Sequence, residues 1–162
     1  MTVVSDASPL VSLAQIETLS VLPALYSSVV LPDAVFEEVV VAGQGQPGAN
    51  AIREAAWVET RAVANRDLVR ALRQDLDEGE AEAIALAVEM ESVLLLMDEK
   101  HGRETADHFD LSYVGTIGLL VEAKRSGHIR AIRPYLDALQ ERAGFRISDR
   151  LYRRVLRDEG ET

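Results

Sequence analysis

An α/β domain with helices covering both faces of a mainly parallel sheet is predicted by this 162-residue chain. Short apolar runs at Val3-Val4, Val29-Val30-Leu31 and Val93 to Met97 alternate with stretches of helical periodicity. Two of those runs are followed closely by an aspartate, Asp6 and Asp98, as strands ending at a polar sheet edge would be. No internal repeat, low-complexity segment or interdomain linker divides the chain, and its length suits one ordinary core.

In chain order, Val3-Val4 reads as the first strand, and Ser8-Pro9 as a helix N-cap with proline at the first helical position. Leu10, Leu13 and Ala14 continue that helix, and a second apolar stretch from Leu19 to Tyr26 leads into strand two at Val29 to Leu31. Pro32-Asp33 opens a helix with Val35 and Val39 inward, and it ends before the turn-rich segment from Gly43 to Gly48. A short helix over Asn50 to Ala56, a strand over Trp57 to Thr60 and a polar helix over Asn65 to Asp75 follow.

Ala81, Ile84, Ala85 and Val88 fall at i, i+3, i+4 and i+7 on a helix introduced by Asp77-Glu78-Gly79-Glu80. The continuous apolar run Val93 to Met97 has the character of a central strand buried on both faces. Tyr113-Val114 gives a shorter strand, and a helix from Ile117 to Ser126 closes at Gly127. Helices are expected over Ile129 to Arg142 and Ser148 to Arg157, with Phe145 to Ile147 between them as an edge strand.

Composition removes several function classes. There is no cysteine, hence no disulfide framework, thiolate metal site or cysteine nucleophile. No basic region precedes a long apolar stretch at the N-terminus and no uninterrupted run is long enough to span a bilayer, so a cytoplasmic protein without membrane association is expected. The net charge of −10 argues against general coating of nucleic acid. That average conceals an asymmetry: Lys124 to Arg157 holds ten basic residues against three acids, whereas residues 1–123 hold seven against twenty-one. The basic segment reads equally as solvated helix faces or as a surface for phosphate or a partner.

Ligands of parallel sheets bind outside the carboxyl ends of the strands, which gives Asp6 and Asp98 more weight than acids on helix faces. Carboxylates that share such an edge repel unless a cation lies between them. Mg²⁺ prefers oxygen donors, so a few carboxylates suffice. Glu38, on the helix after strand two, and Glu80, in the first turn of the helix before the central strand, join them by position, with Glu82 competing with Glu80. His101, His108 and His128 show no zinc-binding spacing and read as surface or capping residues.

Taken together, Asp6-Ala7-Ser8-Pro9-Leu10, Leu31-Pro32-Asp33-Ala34-Val35-Phe36-Glu37-Glu38-Val39, Leu76 to Ala87 and Leu96-Met97-Asp98-Glu99-Lys100-His101-Gly102-Arg103 resemble the PIN domain. More narrowly, they are similar to the prokaryotic PIN-like branch related to VapC toxins of toxin-antitoxin systems. The similarity extends through Gly115-Thr116-Ile117-Gly118-Leu119-Leu120 to Ala143 to Ser148. It implies a three-layer α/β/α domain over residues 1–157, followed by an acidic C-terminal tail, 158–162.

The resemblance also implies an endoribonuclease dependent on Mg²⁺ or Mn²⁺, with Asp6, Glu38, Glu80 and Asp98 as metal ligands and catalytic acids. Ser8 and Thr116 match hydroxyl residues lining such pockets, Glu99 assists, and Arg103 is a candidate for binding substrate. Expected partners are an RNA substrate, a cognate antitoxin and a second copy of the chain. The alternative is a PIN-shaped module that binds protein or RNA without cutting. Two other strand-end carboxylate classes fit worse: phosphate-accepting signalling domains need an acidic pair after the first strand, and haloacid dehalogenase-like phosphatases need Asp-x-Asp, whereas this chain has Asp6-Ala7-Ser8.

Overall fold

The computed structural model describes residues 1–162. Its strands are β1 (Thr2–Ser5), β2 (Ser28–Pro32), β3 (Val58–Arg61), β4 (Leu94–Leu96) and β5 (Tyr113–Val114). They form one all-parallel sheet in the order β3-β2-β1-β4-β5. The chain builds outward from β1 on one side, returns, and builds outward on the other. The boundary between β1 and β4 is therefore the topological switch point, where a crevice opens beyond the carboxyl ends of the strands.

Successive strand residues face opposite sides of a sheet, and here that alternation sorts the apolar runs into two cores. Val3, Val29, Leu31 and Leu96 face one layer, which contains α1 (Ala7–Gln15), α2 (Val21–Leu25), α8 (Thr116–Arg125), α9 (Arg133–Arg142) and α10 (Asp149–Asp158). Val4, Val30, Leu95 and Met97 face the other, built on α5 (Arg66–Leu72), α6 (Glu78–Glu89) and α7 (Lys100–His108). The result is the expected α/β/α arrangement. No helix is long and apolar enough to cross a membrane.

Several local expectations need correction. Helix α1 has Asp6 rather than Ser8 at its N-cap, which moves Pro9 to the third helical position. Its missing N–H costs nothing there, because the first four amides of a helix have no intrahelical acceptor. The segment after β2 is α-helical only over α3 (Asp33–Phe36) and then widens into a π-helix over Glu37–Ala42. Residues Phe145 to Ile147 form no strand; Phe145 N–H instead donates to the Leu139 carbonyl and closes the end of α9.

The helix expected from Ile129 begins only at Arg133, because Pro134 has no N–H and its ring would clash with the carbonyl four residues earlier, so it fits only in the first turn of a helix. The amides of Ile132 and Arg133 donate to the Glu161 carboxylate, so the chain's last residues supply the cap that local sequence lacks. Helix α7 has no counterpart in the sequence pattern, because it buries only Gly102 and Ala106 and carries no larger apolar side chain. Short helix α4 (Ala49–Glu54) follows the Gly43 to Gly48 turns as anticipated.

Leu96 is fully buried in the central part of the sheet. Leu96→Ala is expected to destabilise the protein by about 2–5 kcal/mol, read from urea unfolding; a loss well below that range would contradict burial of β4 on both faces.

Candidate functional site

Asp6 follows β1 directly, and its backbone N–H donates to Leu96 O of β4 at 3.0 Å. The carboxylate is therefore fixed at the switch point. It is buried, only 4% exposed, and makes no capping bond to the next turn of α1. Its environment is acidic: burial drives its pKa from 3.8 to about 7, and Glu80, Asp77 and Glu38 add to the rise, partly offset by the Ala7 amide.

Those neighbours arrive on two other elements. Glu38 lies in the π-helical segment, and its carboxyl is held above its usual range by burial and by Asp77. Glu80 lies in the first turn of α6, where it forms a capping box with Asp77: Glu80 N–H donates to Asp77 Oδ1 at 2.8 Å and Asp77 N–H to Glu80 Oε1 at 3.0 Å. Burial raises the pKa of Glu80, and Asp77 and Glu99 raise it further, against the lowering effect of the Asp77 amide.

Gly79 lets these segments meet. A Cβ placed on it would stand 3.3 Å from Glu38 Oε1 and 3.6 Å from Asp6 Oδ1, so the missing side chain leaves a small cradle bordered by both carboxylates. Gly79 also borders an acidic cavity of about 560 Å³ lined by Asp33, Glu37, Glu38, Asp77, Glu78 and Glu82. Asp6 lies outside that lining. The larger cavity therefore marks the approach to the acids rather than their meeting point.

Glu82 and Glu80, left as alternatives by the sequence, occupy different environments. Glu82 is buried with both oxygens bound: Oε1 accepts Ala34 N–H at 3.0 Å and Oε2 accepts Arg66 Nη1–H at 3.0 Å. It ties α3 and α5 to α6. Glu80 is the one that acts electrostatically on Asp6.

Asp98 reaches the same sheet edge from β4 but turns toward the start of α8. Its Oδ1 accepts Thr116 N–H at 2.8 Å and its Oδ2 accepts the fully buried Thr116 hydroxyl at 2.6 Å. Arg103 Nη2 stands 3.9 Å from Oδ1, while Arg103 Nε–H donates to Met97 O at 2.9 Å. A Cβ on Gly115 would overlap Arg103 Nη2 and crowd Asp98 Oδ1, so a side chain there would displace the Arg103 guanidinium from Asp98. Asp98 is not among the acids that raise Asp6. Glu99 caps α7 by accepting Gly102 N–H at 2.8 Å, and Ser8 is exposed on the first turn of α1.

The structure thus brings Asp6, Glu38 and Glu80 together, keeps Asp98 with Thr116 and Arg103 beside them, and leaves Ser8 at the periphery. The sequence pattern singles out neither Asp77 nor Gly79 as a site residue. The Asp-x-x-Glu spacing of Asp77 and Glu80 is the signal for the former; nothing in the sequence announces a glycine whose importance is what lies across from it. All three histidines are exposed, consistent with surface duty.

Hard oxygen donors with mutually raised pKa values suit a hard divalent cation, whose charge would relieve their repulsion. The cradle at Gly79 supplies room beside two of them. No three acidic or histidine side chains converge at chelating distance as they stand.

The raised pKa of Asp6 sets a pH dependence. A carboxyl that binds its proton more tightly when folded contributes full stability below its unfolded pKa, and that contribution is lost as pH rises from 3.8 to about 7. In metal-free protein, Asp6→Asn is expected to raise stability at pH 8 by on the order of 2–4 kcal/mol, with the gain disappearing towards pH 4. Urea unfolding in EDTA across that range measures it. A variant less stable than wild type at pH 8 would show that a cationic partner holds Asp6 ionised.

Among family models, DUF3368, described as a PIN domain, matches residues 2–161. Comparison with curated proteins finds no match.

Proposed function

The chain belongs to the PIN-domain family, a family of nucleases, and from that premise we propose that it is a metal-dependent endoribonuclease, the toxin of a toxin-antitoxin pair. The observation that carries the proposal is Asp6: a buried carboxylate at the switch point, surrounded by Glu80, Asp77 and Glu38 and without a cationic partner. Such a group destabilises a protein at neutral pH unless a cation is its purpose.

In this reading Asp6, Glu38, Glu80 and Asp98 would hold Mg²⁺ or Mn²⁺. The bound ion supplies charge neutralisation at the scissile phosphate and acidifies water for hydrolysis. Burial and the neighbouring acids favour the protonated form of Asp6, and a bound cation would favour the ionised one, so cation and proton would compete for this carboxyl. Thr116 keeps Asp98 oriented through two hydrogen bonds, and Arg103, which lines a cavity with Asp98, is the group that meets phosphate. Ser8, exposed at the periphery, meets the entering strand. The three histidines are exposed and His101 faces Glu104 at 3.8 Å, so in this reading proton transfer falls to carboxylates and water rather than to an imidazole base.

The toxin role, a small cognate antitoxin and a homodimer follow from the likeness to VapC toxins. RNA as the substrate has the same support. A second reading, a PIN-shaped module that binds without cutting, is favoured by the absence of three converged ligands.

Purified protein is expected to cut a structured RNA pool with Mn²⁺ or Mg²⁺, to lose that activity in EDTA, and to lose about 100-fold or more in Asp6→Asn, as when a group essential to charge stabilisation is removed. Glu80→Gln should cost far more activity than stability. Equal cutting by wild type and Asp6→Asn would expose a contaminant, and no cutting by either would favour the binding module.

A further inference from the structure

The basic C-terminal third is not uniformly available. Lys124 Nζ–H donates to Glu161 Oε2 at 2.6 Å, Arg125 pairs with Glu159 at 2.7 Å, and Arg133 Nη2–H donates to Glu161 O at 3.0 Å. Carboxylates of the last residues thereby pair with Lys124 and Arg125, while the Arg133 guanidinium is held by the Glu161 backbone carbonyl. Arg142 reaches Glu17 at 3.6 Å. By contrast Arg146, Arg150, Arg153 and Arg154 have no carboxylate within 4.0 Å, and Arg157 has only its neighbour Asp158 at 3.8 Å.

These free cations are arranged. Arg150, Arg153, Arg154 and Arg157 follow i, i+3, i+4, i+7 spacing on α10, and they alone line a cleft of about 470 Å³. Val155 and Leu156 anchor the other side of the helix in the core. Like charges three and four residues apart repel, so the face is unfavourable without an anion. Its length is about 10 Å at the helical rise. Its near end adjoins the candidate site, because Leu151 and Arg146 line a cavity of about 340 Å³ together with Asp98, Arg103 and Phe145.

We propose that Arg146 and the α10 arginines Arg150, Arg153, Arg154 and Arg157 form a phosphate-binding track that holds a single RNA strand leaving the Asp98 cavity. The identity of the polyanion rests on the nuclease reading above. A track one helix wide follows the phosphates of one strand, whereas a duplex presents two backbones across a groove. It also answers the problem posed by the acids: phosphate is repelled at the carboxylates and needs fixed positive charge beside them. Lys124 and Arg125, already paired with carboxylates, take no part.

The test measures binding of a labelled unstructured RNA by anisotropy in EDTA, at about 50 and 200 mM salt. Wild type is compared with Arg150→Gln/Arg153→Gln/Arg154→Gln and with a charge-matched control, Arg53→Gln/Arg61→Gln/Arg70→Gln, drawn from surface arginines with local partners. The α10 variant should bind about tenfold or more weakly, and its log affinity against log salt should flatten by about 2, near 0.7 for each phosphate that is no longer neutralised. The control should change little. Hydrolysis of a small chromogenic phosphodiester with Mn²⁺, which cannot span the track, should be the same in wild type and the α10 variant. Equal weakening by both triple variants, or unchanged affinity in the α10 variant, overturns the track. An α10-dependent RNA affinity in a wild-type protein that hydrolyses no diester keeps the track and removes the nuclease reading.

Discussion

Hydrogen bonding of β1 to β2 on one side and β4 on the other governs where chemistry can occur in this protein. The register that pairs Ser5 with Leu96 ends both strands at the same level, and the Asp6 amide is bound to Leu96 O. Because the chain reverses its direction of sheet building between these strands, no helix crosses directly over their ends. Asp6 and Asp98 emerge into that gap. A parallel sheet buried on both faces leaves few other places for a polar group, which explains why a carboxylate as enclosed as Asp6 is found there.

The acids around Asp6 also hold the fold together. Asp77 and Glu80 satisfy each other's backbone amides at the start of α6, and Glu82 two residues on joins α3 to Arg66. One short stretch therefore fixes helix α6 against the sheet and supplies negative charge at the switch point. The π-helical turn from Glu37 to Ala42 carries Glu38 to the same place. Wider turns of this kind recur at functional sites because they rotate a side chain away from the position an α-helix would give it. Asp98 shares this double character: it anchors the start of α8 through Thr116 while forming the wall of a cavity that contains two arginines.

Charge is divided in the same way between structure and availability. The C-terminal acids Glu159 and Glu161 fold back onto Lys124, Arg125, Ile132 and Arg133, completing the start of α9 and pairing Lys124 and Arg125 with carboxylates. What the sequence shows as one basic segment becomes a closed cluster at one end and an open arginine face on α10 at the other.

The sequence by itself determined the α/β class, the strands within Val3-Val4, Val29 to Leu31 and Val93 to Met97, and the weight given to acids at strand ends. Those features follow from local periodicity and from the need to bury apolar runs, and both are written in neighbouring residues. It could not separate Glu80 from Glu82, because both lie on one helix and differ only in what faces them: Asp6 for one, Ala34 and Arg66 for the other. Helix α7, the π-turn, the cradle at Gly79 and the cap that Glu161 provides to α9 were likewise decided by tertiary structure. Each depends on contacts between residues distant in the chain, and burial and charge at such contacts exist only once the two helical layers have closed on the sheet.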